Sequence, residues 1–192
     1  MTRRALIVFS LIGLGAFLAS CLNEHDQVGP SNLPASWTAA IEPNDPGSHV
    51  DGTYANTGEY LHETVTTSRQ RLSGLLFADL DHHTTVNQIR LRSSRGGDLQ
   101  IEALALGHVV HSRTVAVESD PKTGAVTFSA PGQGGAGGNL AAAAMTTGKF
   151  TLYKGRDGDL YLKATSLTVG VIGVVVPMKV STENWGHWPA AR

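Results

Sequence analysis

Two aspartates and two histidines lie close together at residues 79–83, the densest group of metal-ligand types in a chain with eight histidines. Imidazole nitrogens and carboxylate oxygens bind zinc and related metals when three or four of them converge on one point. This group lies between a predicted helix and a predicted strand, where an exposed polar loop accounts for its composition. His108 and His111 lie on one predicted strand at a spacing that places them on opposite faces. We therefore expect no metal site.

Six other acidic residues are candidates for acid–base chemistry, and they are scattered along the chain. They are Glu59, Glu63, Glu102, Glu118, Asp157 and Asp159. Two carboxylates catalyse glycoside hydrolysis only at a definite separation in space, which spacing along the chain does not establish. No G-x-S-x-G or H-E-x-x-H motif marks a serine or zinc hydrolase. The sequence therefore assigns no catalytic residue, and an enzyme would have to assemble its site from residues distant in the chain.

Residues 132–137 (GQGGAG) spell the G-x-G-x-x-G pattern of dinucleotide-binding proteins. That fingerprint needs a strand before it, a helix after it and further βαβ units. Here Pro131 lies at the turn, Gly148 ends any helix after about two turns, and no βαβ pattern follows. We expect no nucleotide and no other cofactor, and we predict a flexible loop over 131–148 with one helical turn at Leu140–Met145.

Charge and aromatic residues bear on the possible partners. The chain has 15 basic and 16 acidic residues, a net charge of −1, so it lacks the basic surface that nucleic acid requires. Near the C-terminus, Trp185, His187 and Trp188 either form a binding surface or cover the open end of a barrel. The ligand-binding residues stay unassigned at this point.

The N-terminal segment has the pattern of an export signal. Arg3 and Arg4 precede a run of 13 mostly apolar residues at 5–17, the length of a signal-peptide hydrophobic region. The run ends in Leu18-Ala19-Ser20-Cys21. These four residues resemble the lipobox of bacterial lipoproteins, which also consists of leucine, two small residues and cysteine directly after the hydrophobic region.

The resemblance implies that Cys21 is diacylglycerated, that the chain is cleaved after Ser20, and that the new amino terminus is acylated. Membrane lipid is then the first partner, and the only cysteine of the chain is no longer available as a nucleophile. The alternative is an uncleaved membrane anchor, because residues 5–22 are nearly as long as the ~20 residues of a spanning helix. Gly13 and Gly15 favour processing.

The resemblance also bears on location. In proteobacterial lipoproteins an aspartate after the lipidated cysteine favours the inner membrane, and Leu22 stands there in this chain. We therefore expect an envelope protein of the outer membrane, facing the periplasm or the exterior.

Composition divides the chain into a signal peptide (1–20), a lipidated N-terminus with a flexible tether (21–48) and a β domain (49–192). Residues 22–48 hold four of the eight prolines and span about 30 Å root-mean-square as a flexible coil. Trp37 and Ile41 are apolar positions in this tether that would pack onto the domain.

Within the domain, Ser68 and the leucines after it predict one short helix at 69–77. Alternating apolar residues predict the strands, which cover 87–92, 99–103, 109–118 and 125–130. The strongest local pattern is a hairpin of 149–154 and 159–164 around a GRDG turn. A last strand pair covers 167–180, with Pro177 at an edge or bulge.

Short strands separated by turns predict a mainly β fold, a small antiparallel barrel or sandwich with one short helix. The opening phrase at 52–56 (GTYAN) and the late hairpin resemble small uncharacterised β-rich outer-membrane lipoproteins. The predicted function is a non-catalytic envelope lipoprotein whose β domain binds a protein, a glycan or a small apolar ligand. The alternatives are an envelope hydrolase and a structural accessory subunit of an envelope complex.

Overall fold

The computed structural model describes residues 33–41, 49–61, 67–94, 96–130, 142–172 and 176–192. Across these residues, eleven strands form two antiparallel sheets, accompanied by two short helices. Neither helix is long and apolar enough to cross a bilayer. The predicted signal peptide, Cys21 and Leu22 lie outside the described residues, as does the GQGGAG segment.

The two sheets are unequal in size. Sheet A has the order β1-β4-β5-β6, formed by β1 (Gly52–Ala55), β4 (Gln88–Ser93), β5 (Asp98–Ala105) and β6 (His108–Ala116). Sheet B has the order β3-β2-β11-β10-β9-β8-β7, formed by β3 (Thr67–Arg71), β2 (Thr57–Leu61), β11 (Val176–Trp188), β10 (Leu160–Ile172), β9 (Ala142–Lys154), β8 (Val126–Ser129) and β7 (Glu118–Ser119). The helices are α1 (Ala35–Ile41) and α2 (Leu72–Leu76).

The core lies between the sheets. Leu91 and Ile101 of sheet A belong to the same buried cluster as Leu152 and Leu162 of sheet B. The predicted alternation of strand 87–92 is confirmed, because Ile89 and Leu91 are buried while Gln88 and Arg90 are partly exposed. The sheets do not close into a barrel, so the sandwich is the one of the two predicted architectures that the fold resembles.

Asn56 connects the two sheets where the chain passes from β1 to β2. Its buried side chain donates to the Val86 carbonyl at 2.9 Å and accepts from the Ser73 backbone N–H at 2.7 Å. Its backbone carbonyl accepts from Leu72 N–H at 2.8 Å. Asn56 therefore supplies acceptors for the first N–H groups of α2, which have no partner inside the helix.

That arrangement corrects the predicted helix at 69–77. Residues 67–71 form β3, which pairs with β2 along its whole length, and the helix occupies only Leu72–Leu76. Ser68 is not its N-cap, because pairing with Tyr60 places it inside a strand. The number of helices also differs from the prediction, since α1 forms within the predicted tether.

The glycine- and alanine-rich region gives a second correction. Residues 142–148 belong to β9 rather than to a loop, so the helical turn predicted at Leu140–Met145 is wrong over its described part. Alanine favours helix in isolation, but residues 142–145 pair with Val169–Ile172 of β10. Pairing with a distant strand has overridden the local preference.

The predicted hairpin is confirmed and is longer than expected. β9 and β10 have 13 residues each, and β11 pairs with β10 over the same length. The predicted final strand pair is therefore the far end of β10 together with the start of β11. Within the described residues, β2 pairs with β11 at Trp185–His187 and not at Pro177, so Pro177 lies on an edge of β11 as predicted.

Candidate functional site

Asp157, Asp159 and His187 come together at the turn between β9 and β10. One ligand-type atom from each lies within 4.8 Å of the others. Asp159 Oδ2 is 2.8 Å from His187 Nε2, and Asp157 Oδ2 accepts the Tyr161 hydroxyl at 2.7 Å. These four residues are called the turn cluster below.

The turn itself positions both carboxylates. Gly155 N–H donates to the Asp159 carbonyl at 2.8 Å, and Gly158 adopts a φ of 85°, which favours glycine. Asp157 Oδ1 accepts from Asp159 N–H at 3.0 Å. A Cβ at Gly155 would collide with Asp157 and with the Tyr161 ring, so glycine is required there. The sequence GRDGD therefore builds a rigid turn with two fixed carboxylates.

An aromatic layer supports the turn cluster from beneath. Tyr161 stacks on His187 with ring centroids 4.8 Å apart, and Trp37 of α1 contacts both rings at 6.0 and 5.5 Å. Burial and the hydrogen bond to Asp157 raise the pKa of Tyr161 well above its ordinary value. The phenol therefore stays protonated and remains a donor to Asp157.

A cleft of about 440 Å³ opens beside the turn cluster. Its polar lining consists of Asn87, Gln88, Asp157, Asp159 and Arg192, and Ala55 with residues 189–191 complete the wall. Residues 189–191 are held against β1 by backbone hydrogen bonds, including Ala55 N–H to the Pro189 carbonyl at 2.8 Å. Ala190 N–H also donates to Asp159 Oδ1 at 2.8 Å.

The carboxylate–imidazole pair has the geometry that orients a general base in hydrolases. The hydrogen bond that orients the His187 ring here is the one with Asp159. Both carboxylates already accept two hydrogen bonds within the protein. A metal ion bound here would displace some of these bonds. The arrangement is best suited to hydrogen bonding with a polar ligand.

The C-terminal aromatic residues do not form one surface. Trp188 is fully buried between the sheets and donates its indole N–H to the Gln70 carbonyl at 3.2 Å. Trp185 and His187 lie on the other face of β11, under α1, because side chains alternate along a strand. Trp37 packs against this face and is buried, which confirms the packing expected for it.

The histidines and aspartates at 79–83 do not converge either. Asp79 lies 3.3 Å from His111, whose ring packs against Phe77 at 5.0 Å. His108 is exposed at the start of β6. These contacts attach the loop after α2 to β6. In the described part of the chain, the histidines at 82–83 belong to no group of three or more ligand-type residues.

Among the scattered carboxylates that the structure describes, only Asp157 and Asp159 share a site, and Glu63 lies outside the described residues. Glu102 instead pairs with Arg90 on sheet A. Sequence reasoning missed Glu183, a buried carboxylate that contacts Lys163 at 2.6 Å and accepts from the Trp185 indole at 2.8 Å. The alternation of Glu183, Trp185 and His187 along one strand was the signal that placed them on a common face.

Comparison with protein-family models, with curated proteins and with solved structures finds no match for this chain. The features that bear on function are therefore the cleft, the turn cluster and the N-terminal pattern.

Proposed function

We propose that this chain is a lipid-anchored protein of a bacterial cell envelope whose β domain binds a glycan without catalysing a reaction. The observation that carries the proposal is the cleft beside Asp157 and Asp159, which is lined by carboxylates, two amides and a guanidinium group. Its volume lies within the range of about 300–1,000 Å³ usual for small-ligand sites.

A sugar fits this lining better than the other ligand classes. Each sugar hydroxyl both donates and accepts, so it matches carboxylate acceptors, the N–H donors of Arg192 and the amides of Asn87 and Gln88. A small apolar ligand would leave these groups without partners, which costs roughly 1–3 kcal/mol for each buried group.

The envelope location is supported by the lipobox-like residues 18–21, and Leu22 favours the outer membrane. Two or more acyl chains on Cys21 hold a protein stably at a bilayer, where a single chain does not. The 12 residues from Cys21 to Leu33 would span about 20 Å root-mean-square if flexible. Metabolic labelling with a fatty acid tests the anchor, because Cys21→Ala should lose the label and stay uncleaved. Undiminished label on that variant would refute lipidation.

Glycan binding is tested with the full-length protein in detergent, using titration calorimetry against fragments of envelope glycans. Asp157→Asn keeps the shape of the turn but removes the charge from the cleft, and we expect affinity to fall at least tenfold. Glu118→Gln, an exposed carboxylate outside the cleft, is the matched control and should bind normally. Equal binding by both variants, or no binding by the wild type, contradicts the proposal.

The Asp159–His187 pair makes an envelope hydrolase the second candidate. The same glycan fragments, incubated with the wild type and with His187→Gln, are analysed for shortened products. We expect no turnover above that of heat-inactivated protein. Turnover that the substitution abolishes would replace the binding proposal with the hydrolase.

A further inference from the structure

The turn between β5 and β6 carries the most exposed large apolar side chain of the described residues. Leu106 in this turn is 90 % exposed, and Val109 and Val110 at the start of β6 are 46 % and 49 % exposed. Single exposed apolar residues are normal on a protein surface, whereas clustered ones mark interaction sites. These three side chains lie within five positions of one another and are called the apolar tip below.

The backbone of Leu106 has a conformation that leucine rarely adopts. Ala105 pairs with His108, so Leu106 and Gly107 form a two-residue turn, and their φ angles are 51° and 82°. Positive φ at both positions is the pattern of a type I′ turn, which favours asparagine or aspartate before glycine. Leucine is therefore unfavourable here both for its backbone and for its exposure. A residue that is unfavourable in both respects is a candidate for a binding role.

The apolar tip lies at the same end of sheet A as the cleft. Gln88, which lines the cleft, pairs with Leu104 just before the turn. α1 lies at this end too, because its Ala40 carbonyl accepts a hydrogen bond from Arg156 N–H in the GRDG turn, whose next residue lines the cleft. The segment that would connect α1 to a lipidated Cys21 therefore joins the domain at the end that carries the apolar tip.

We propose that the apolar tip inserts into the surface of a neutral lipid bilayer and thereby orients the β domain on the membrane. The proposal rests on the envelope anchor proposed above, which brings the domain to a bilayer. The 12 residues from Cys21 to Leu33 span about 20 Å root-mean-square if flexible, so the anchored end of the domain stays within reach of the lipid headgroups.

A bilayer fits the apolar tip better than a protein partner does. The tip projects from a hairpin and has only three apolar side chains, so it buries far less than the ~1,200 Å² of a stable protein complex. A bilayer needs no complementary pocket, and each inserted side chain removes apolar surface from water. Because the tip is small, its contact with lipid is weak alone and depends on the high local concentration that an anchor supplies.

The charge around the tip favours a neutral bilayer over an anionic one. Residues 104–110 have His108 as their only ionisable side chain, and the whole chain has a net charge of −1. Binding to anionic lipid depends on clustered lysine and arginine near the membrane surface. Burial of apolar surface therefore carries the contact, which should depend little on salt concentration.

A fluorescent label at the turn tests the insertion. Leu106→Cys is labelled with an environment-sensitive fluorophore in the full-length protein, which is reconstituted in phosphatidylcholine vesicles. We expect brominated lipid to quench this label at least about threefold more than the same label at Thr114→Cys, because an inserted tip lies ~5–10 Å deep. Thr114 is the control because it is exposed on β6 away from the turn. Equal quenching at the two positions overturns the proposal.

The wild type separates failure of the anchor from failure of the tip. Cys21 is the only cysteine of the chain, so an acylated wild type takes up no label. Labelling of the wild type would refute lipidation but not insertion. The two labelled positions are then compared in the Cys21→Ala background, where the uncleaved apolar segment 5–17 still holds the chain at the bilayer. Stronger quenching at position 106 supports insertion there as well, and equal quenching overturns it.

A second pair of variants tests the leucine itself, with the label at Val110→Cys. Leu106→Asn should lower quenching at least about threefold without destabilising the fold, because asparagine suits this turn. Urea unfolding checks that stability. Val169→Asn, at an exposed valine of β10, is the matched control and should leave quenching unchanged. Equal loss in both variants, or loss in neither, overturns insertion of the tip.

A protein partner is distinguished in detergent without vesicles. The label at position 106 should remain accessible to iodide at every protein concentration. Protection that grows with protein concentration would show that the tip binds a second copy of the chain, and it would overturn the lipid assignment.

Discussion

The long strands β9, β10 and β11 are paired by hydrogen bonds in both of their halves, but the two halves differ in burial. In the half next to the turn cluster, Leu152, Leu160 and Leu162 are completely buried against sheet A. The other half comprises residues 142–148, 166–172 and 176–182 and is called the arm. There Leu167 and Val169 of the same strand β10 are 36 % and 50 % exposed. Hydrogen bonding between strands is continuous across both halves, so pairing alone does not decide burial. Burial depends on a second layer, and among the described residues that layer covers only the half next to the turn cluster.

The covered half is also packed on its second face. α1 lies on that face, where its residues Trp37 and Ala40 pack with Tyr161 and Trp185. The Ala40 carbonyl also accepts a hydrogen bond from Arg156 N–H at 3.2 Å. The arm instead carries polar cross-strand pairs, such as Thr146 with Thr168 at 2.9 Å. Stability should therefore be concentrated near the turn cluster.

The largest expected effect comes from truncating one leucine in each half of β10 and comparing the two losses of stability. Leu162→Ala leaves a cavity between the sheets and should lower the free energy of unfolding by about 3 kcal/mol. Leu167→Ala, in the arm of the same strand, should cost less than about 1 kcal/mol. Urea unfolding of both variants measures the two values. Equal losses would mean that the arm is as tightly packed as the core.

The second test concerns the helix over the covered half. Trp37→Ala removes the buried side chain that holds α1, and we expect a loss of roughly 2 kcal/mol, below the 3–5 kcal/mol of a tryptophan deep in a core. The cost is lower because the short helix can detach and let water reach the aromatic face. Hydrogen exchange should quicken at 35–41 and around Tyr161 and leave the arm unchanged. Uniform quickening would argue against a local role.

The smallest effect is expected from alkaline pH. Burial raises the pKa of Tyr60, on β2 beside the covered half, to about 12. The folded protein therefore holds that proton more tightly than the unfolded chain, whose tyrosines ionise near pH 10. The stabilisation that the protonated Tyr60 hydroxyl contributes is fully present below pH 10 and is lost as the pH rises toward 12. The loss is on the order of 1 kcal/mol at pH 11.

Tyr60→Phe is the variant that isolates this contribution. Its free energy of unfolding should fall less between pH 9 and 11 than that of the wild type, measured by urea titration at each pH. The arm has Lys179 as its only ionisable side chain, so it should contribute little to the change. An unchanged pH dependence in Tyr60→Phe would assign the alkaline loss to another group.

Local patterns predicted part of this fold well. The hairpin around GRDG was predictable because turn residues and the alternating strands beside it are neighbours in the chain. The same holds for Ile89 and Leu91, whose spacing places both on one buried face. The candidate site was only half predictable. Asp157 and Asp159 belong to that turn, but His187 is 28 residues from Asp159 and reaches it through the register of β11 with β10.

The sequence by itself determined the mainly β character, the turn and the side-chain alternation, because these depend on residues within a few positions of one another. Only the tertiary structure decided that residues 142–148 form a strand, that residues 35–41 of the predicted tether dock as α1, and that Trp188 lies between the sheets while His187 lies under α1. Each of those outcomes depends on a partner far along the chain. The free energy of pairing with such a partner exceeds the local preference, as it does for the alanines of β9.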